Sequence, residues 1–108
     1  MALFKRRARS AAPPGEAVSD AAAVQRHFEA FASTRRGVEA YVEPPTNITA
    51  TTVVLVAHDG EWTRRAIGSR NDAFALTTAL GLPTYDVAKT GYPSRMRTWT
   101  SRKRRGEA

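Results

Sequence analysis

Residues 52–65, TVVLVAHDGEWTRR, restrict the fold more than any other part of the chain. The run Thr51–Ala57 is dominated by β-branched and aliphatic residues, which suit a pleated and buried surface. Asp59-Gly60 then separates it from Glu61–Ile67, and an Asp-Gly pair between two strand-like runs is a strong short-range hairpin signal. With Asp59 and Gly60 as the two turn residues, Ala57 faces Trp62, Leu55 faces Arg64, Val53 faces Ala66 and His58 faces Glu61. This register predicts a core face of Val53, Leu55, Ala57, Trp62 and Ala66. Arg64 falls on that face too, and would have to reach its rim.

The flanking segments supply the remaining elements. Ala17, Ala21, Val24, Phe28 and Phe31 fall on one helical stripe, Ser19 or Asp20 can cap the helix if it starts late, and Gly37 can end it. Val38–Glu43 alternates, with Val38, Ala40 and Val42 on one side and Glu39, Tyr41 and Glu43 on the other, until Pro44 and Pro45 stop it. Ser69 and Asp72 open a second helix carrying Ala73, Leu76, Thr77 and Leu80, which Gly81 and Pro83 close. Thr84–Ala88 reads as a last strand, parallel to a neighbour because a helical crossover precedes it.

A chain of 108 residues supports one core. The expected architecture is therefore α+β and two-layered, in the order α-β-β-β-α-β, with about four strands and two helices on one face. Residues 1–15 read as a basic N-terminal tail and linker, 16–94 as the single domain, and 95–108 as a basic C-terminal tail, both tails disordered.

Composition removes several kinds of chemistry. With no cysteine there is no disulfide, thiol nucleophile or thiolate-held metal, and His27 and His58 are the only imidazoles. The glycines form neither a dinucleotide fingerprint nor a phosphate loop, and no metalloprotease, hydrolase-elbow or calcium-loop pattern occurs. Without an apolar run long enough to cross a bilayer or an export signal, the expected location is cytoplasmic.

Charge is unevenly placed. Residues 1–9 carry four cations and residues 95–108 six against Glu107, whereas residues 10–94 hold seven cations against nine carboxylates. The net charge of +7 thus comes from the two ends. In the C-terminal stretch GYPSRMRTWTSRKRR, Tyr92 and Trp99 are interleaved with six cations, a mixture that neutralises phosphates while a ring stacks on a base. Arg95, Arg97, Arg102, Lys103, Arg104 and Arg105 are the candidate phosphate contacts, Trp99 the stacking residue, and Lys5, Arg6, Arg7 and Arg9 a second clamp. Either Arg64 or Arg65 could also gather with Arg70, Lys89 and Arg95 into an anion site, although the two adjacent arginines point to opposite strand faces and cannot grip one phosphate together.

The reading is thus of a small non-enzymatic module that contacts RNA or DNA through its basic termini, with no catalytic residue, metal or cofactor assigned. His58, between Asp59 and Glu61, reads as an exposed hairpin tip, and His27 as a residue at the core boundary. One alternative is a protein-interaction adaptor using a sheet edge or the Tyr41 face. In another use of the N-terminus, Leu3 and Phe4 beside Lys5-Arg6-Arg7 give residues 3–9 a weak hold on an anionic membrane surface.

The segments Thr52–Arg65, Leu80-Gly81-Leu82-Pro83, Tyr85-Asp86-Val87 and Gly91-Tyr92-Pro93-Ser94-Arg95-Met96-Arg97 resemble a family of short actinobacterial proteins of unknown role, over roughly residues 37–97. The resemblance implies that the hairpin and the GYPSRMR segment are shared features and that the tails vary. Some relatives carry an automatic oxidoreductase label, so a small oxidoreductase-like enzyme is a further alternative, with no catalytic residues to carry over.

Overall fold

Asp20 sets the start of helix α1 (Ala21–Thr34): its carboxylate accepts from the Ala22 N–H at 3.0 Å, satisfying one orphan donor of the first turn. The structure, a computed structural model, describes residues 20–106. Strands β1 (Glu39–Glu43), β2 (Thr52–Val56) and β3 (Trp62–Ala66) follow, then α2 (Arg70–Ala79), β4 (Thr84–Asp86), the single turn α3 (Val87–Thr90) and α4 (Ser94–Arg104). The sheet runs β3-β2-β1-β4, antiparallel except for the β1/β4 pair, which is parallel. The α+β class, the strand count and the parallel last strand are as the sequence predicts.

One face of the sheet carries α1 and α2. Val24, Phe28 and Phe31 of α1 and Ala73 of α2 pack on Ala40, Val42, Val53, Leu55 and Ala57. Ser69 caps α2 through the Asp72 N–H at 3.1 Å, as its spacing predicts. On the same face Thr84 of β4 donates to Thr77 of α2 at 2.7 Å, and Arg70 pairs with Asp86 at 2.7 Å.

The hairpin register differs by one residue from the expectation. Val56, not Ala57, faces Trp62, and Leu55 faces Thr63. The loop has three residues: Gly60 N–H donates to the Ala57 carbonyl at 2.9 Å, Ala57 N–H donates to Glu61 at 2.8 Å, and Gly60 takes φ +96° as the bulge residue. A one-residue slip exchanges sheet faces, so Trp62, Arg64 and Ala66 lie opposite the helices, while Val53, Leu55 and Ala57 stay beneath them. Arg64 is thereby relieved of its core position, and Thr63, which bonds to His27 at 2.7 Å, takes the helix-facing place.

The second correction follows from the first. Trp62, Tyr41, Val54 and Val56 form an apolar patch on the far face, and Met96 of α4 covers it. Residues 95–104, expected within a disordered tail, therefore belong to helix α4, which adds a third layer to a fold expected to have two. Residue 95 does not end the domain. The N-terminal tail, with Leu3, Phe4, Lys5, Arg6, Arg7 and Arg9, and the expected helix positions Ala17 and Ser19 lie outside the described residues.

Gly60 is buried where the hairpin tip meets α4: a Cβ there would lie 2.1 Å from the Arg95 carbonyl oxygen and 2.9 Å from Trp99 Cβ. Gly81 also has positive φ, +75°, but faces open space. Gly81→Ala is expected to cost about 1–2 kcal/mol from backbone strain alone. Gly60→Ala, which adds a backbone collision, is expected to cost about 3 kcal/mol or more. Urea unfolding of the two variants checks the order.

Candidate nucleic-acid interface

Helix α4 is anchored by one side chain at each end of its inner face. Arg95 turns inward, its Nη2 donating to Glu39 Oε1 at 2.8 Å and its Nε to the Ala57 carbonyl at 2.9 Å. One turn further on, Thr100 accepts the Trp62 indole N–H at 2.9 Å. Successive residues turn by about 100°, which puts Arg95, Met96, Trp99, Thr100 and Lys103 on one arc. Arg97, Thr98, Ser101, Arg102 and Arg104 share the opposite arc. Arg97, Thr98, Arg102 and Arg104 are exposed, and Ser101 is half-buried.

The sequence-derived candidates consequently divide. Arg97, Arg102 and Arg104 face solvent, and no carboxylate among the described residues forms an ion pair with them. Arg105 is the exposed C-cap residue. Arg95 is committed to Glu39 and leaves the solvent-facing set. Trp99 is half-buried, with the hairpin tip on one side and the Lys103 ammonium 5.5 Å from its ring centroid. Its Cβ faces Gly60 at the hairpin tip, so Trp99 lies on the sheet-side arc of the helix. Lys5, Arg6, Arg7 and Arg9 lie outside the described residues.

The proposed gathering of Arg64, Arg70 and Arg95 around one anion does not occur, because each meets its own carboxylate: Glu43, Asp86 and Glu39. The Tyr41 face does not stand open to a partner either, since Tyr41 is buried under α4 and stacked on Tyr85 at 5.4 Å between centroids.

Sequence reasoning missed the two carboxylates that organise this face. Glu39 accepts from Arg95 and from the Tyr41 hydroxyl at 2.8 Å. Burial pushes Glu39 up, but the hydrogen bonds from Arg95 and Tyr41 outweigh it and hold the carboxyl below its ordinary value. The Tyr41 phenol is pushed up to about 12, by burial and by the same carboxylate. Glu43 sits in a 470 Å³ cleft with Thr46, Thr49 and Tyr92. It receives Arg64 through Nε at 2.8 Å and Nη2 at 2.9 Å, together with the hydroxyls of Thr52 and Tyr92. Burial again opposes ionisation, and these donors again overcome it, so Glu43 also stays below its ordinary value. A carboxylate with four donors on its two oxygens is a structural acceptor, poorly placed to take a proton from a substrate. The available signal was the placing of both acids beside Tyr41 on one face of an otherwise apolar strand.

The histidines are occupied in other ways. His27 is held below its ordinary value by burial first, then by the nearby Arg65 and Arg35 charges. His58 is exposed at the hairpin tip, where its N–H donates to the Arg36 carbonyl at 2.8 Å. Among the described residues no three acidic or imidazole side chains converge to hold a metal ion, and no helix is long and apolar enough to cross a membrane.

The depressed carboxyls fix the sign of one pH effect. Their contribution to stability is fully present above the ordinary value of 4.5 and is lost as pH falls from there through the lower folded-state values. Glu39→Gln and Glu43→Gln are each expected to lower the urea midpoint at neutral pH and to flatten its decline below 4.5. Unfolding midpoints across an acid series read both effects. No protein-family model matches this chain, and searches of the curated proteins and of the solved structures found no match either.

Proposed function

We propose that this protein is a nucleic-acid-binding module whose contact surface is the outer arc of α4, with Lys5, Arg6, Arg7 and Arg9 as a second clamp. The observation that carries the reading is the sorting of side chains around one helix. All five cations of α4 occur without an acidic residue in the helix, and Arg97, Arg102 and Arg104 face outward beside Thr98 and Ser101. Guanidinium and hydroxyl groups are the side chains that contact phosphate oxygens, and neutralising phosphates releases condensed counterions.

The inward arc supports the same choice. Met96 packs on the sheet and Trp99 shares its arc, its Cβ toward the hairpin tip, so the outward arc offers no apolar stripe to enter a lipid interface. Arg95 spends its charge inside the fold and gives α4 a fixed orientation, so little chain ordering is left to be done on binding.

Binding of a labelled nucleic acid across a salt series tests the reading. The triple variant Arg97→Ala, Arg102→Ala, Arg104→Ala is expected to bind more weakly. Its log-log salt slope on a duplex is expected to be shallower by about 2.7, at about 0.9 per lost phosphate contact. Removing residues 1–9 is expected to reduce the slope by up to about 3.6 on the same basis. An unchanged affinity in the triple variant, with helical circular dichroism intact, overturns the assignment.

A further inference from the structure

We infer that the nucleic acid taken by α4 is double-stranded DNA, with the helix seated in the major groove. This rests on the reading of α4 as a nucleic-acid surface and adds the form of the ligand.

Single-strand binding draws its energy from bases stacked on open aromatic faces. The outer arc of α4 has no aromatic residue, and the rings around the helix are engaged elsewhere. Trp99 lies between the hairpin tip and Lys103. Trp62 gives its N–H to Thr100 and has the Arg64 guanidinium 5.2 Å from its ring centroid. Tyr41 is buried, Tyr85 lies over it, and Tyr92 is tied through its hydroxyl to Glu43. A strand of unpaired bases would find the cations of the outer arc with no aromatic ring set among them.

A groove suits the same arc. The 11 residues of α4 make a rod of about 16 Å. The major groove of B-form DNA, about 12 Å wide, admits such a rod with its side chains. Thr98 and Ser101 are short, so the helix backbone can approach the groove floor. Arg97, Arg102 and Arg104 are long enough to reach guanine edges or the flanking phosphates. The A-form major groove of duplex RNA is too narrow and deep for side chains to read. Because α4 is the outermost layer, its arc can enter a groove without rearrangement of the sheet behind it.

The test uses the full chain and fluorescence anisotropy, with a 20-base-pair DNA duplex, either of its single strands, the RNA duplex of the same sequence and poly-glutamate, all at one salt concentration. The DNA duplex is expected to bind at least tenfold more tightly than each of the others. Thr98→Glu, in the middle of the exposed arc, is expected to weaken duplex binding at least tenfold with circular dichroism unchanged. Saturating distamycin, which fills the minor groove, is expected to leave affinity within twofold. Equal or tighter binding of the single strand or the RNA duplex, or displacement by distamycin, overturns the groove assignment and leaves the nucleic-acid reading standing. Binding to none of the nucleic acids, or equally to poly-glutamate, overturns both.

Discussion

Strand β2 is apolar on both faces, Tyr41 of β1 extends the second of them, and the rest of the molecule is arranged to keep both apolar surfaces from water. Ala40, Val42, Val53 and Leu55 lie under α1 and α2, while Tyr41, Val54 and Val56 look the other way and are as well buried. A two-layer fold would leave that second set exposed, at a cost of roughly 1.5–3 kcal/mol for each large side chain. The C-terminal segment is drawn onto the sheet by that need. Its polar anchors, Arg95 on Glu39 and Thr100 under the Trp62 indole, fix how it lies.

Much of this was readable from residue order alone. Helices α1 and α2, their caps at Asp20 and Ser69, the antiparallel hairpin of β2 and β3 and the parallel return of β4 follow from periodicity and turn chemistry, which act over a few residues. The hairpin register did not follow. Asp59-Gly60 serves a two-residue loop and a three-residue bulged loop equally well, and the choice depends on where Trp62 can be covered. Helix α4 was hidden for a related reason. Its sequence, SRMRTWTSRKR, has too few apolar residues to announce a helix, and its stability depends on a partner surface that includes Tyr41, Val54, Val56 and Trp62, far earlier in the chain.

The candidate interface was legible as a composition and illegible as a geometry. The cluster of cations is plain in the sequence, but which of them face water is decided by helical phase and by the positions of Glu39 and Glu43. Neighbouring basic residues thereby sit in different settings: Arg95 is a structural tie, Lys103 rests over an indole, and Arg97, Arg102 and Arg104 face solvent. A count of charges would have treated all five alike.

The parallel pair has a consequence during synthesis. Strand β1 meets β2 nine to seventeen residues later, but its other neighbour, β4, begins only at Thr84, and the cover for Tyr41 begins later still. While the ribosome is translating the intervening codons, the nascent hairpin presents an open backbone edge and a bare aromatic surface, the features through which incomplete chains adhere to one another. Synthesis of β4 and α4 closes both, so a chain terminated before Thr84 would be a sticky species.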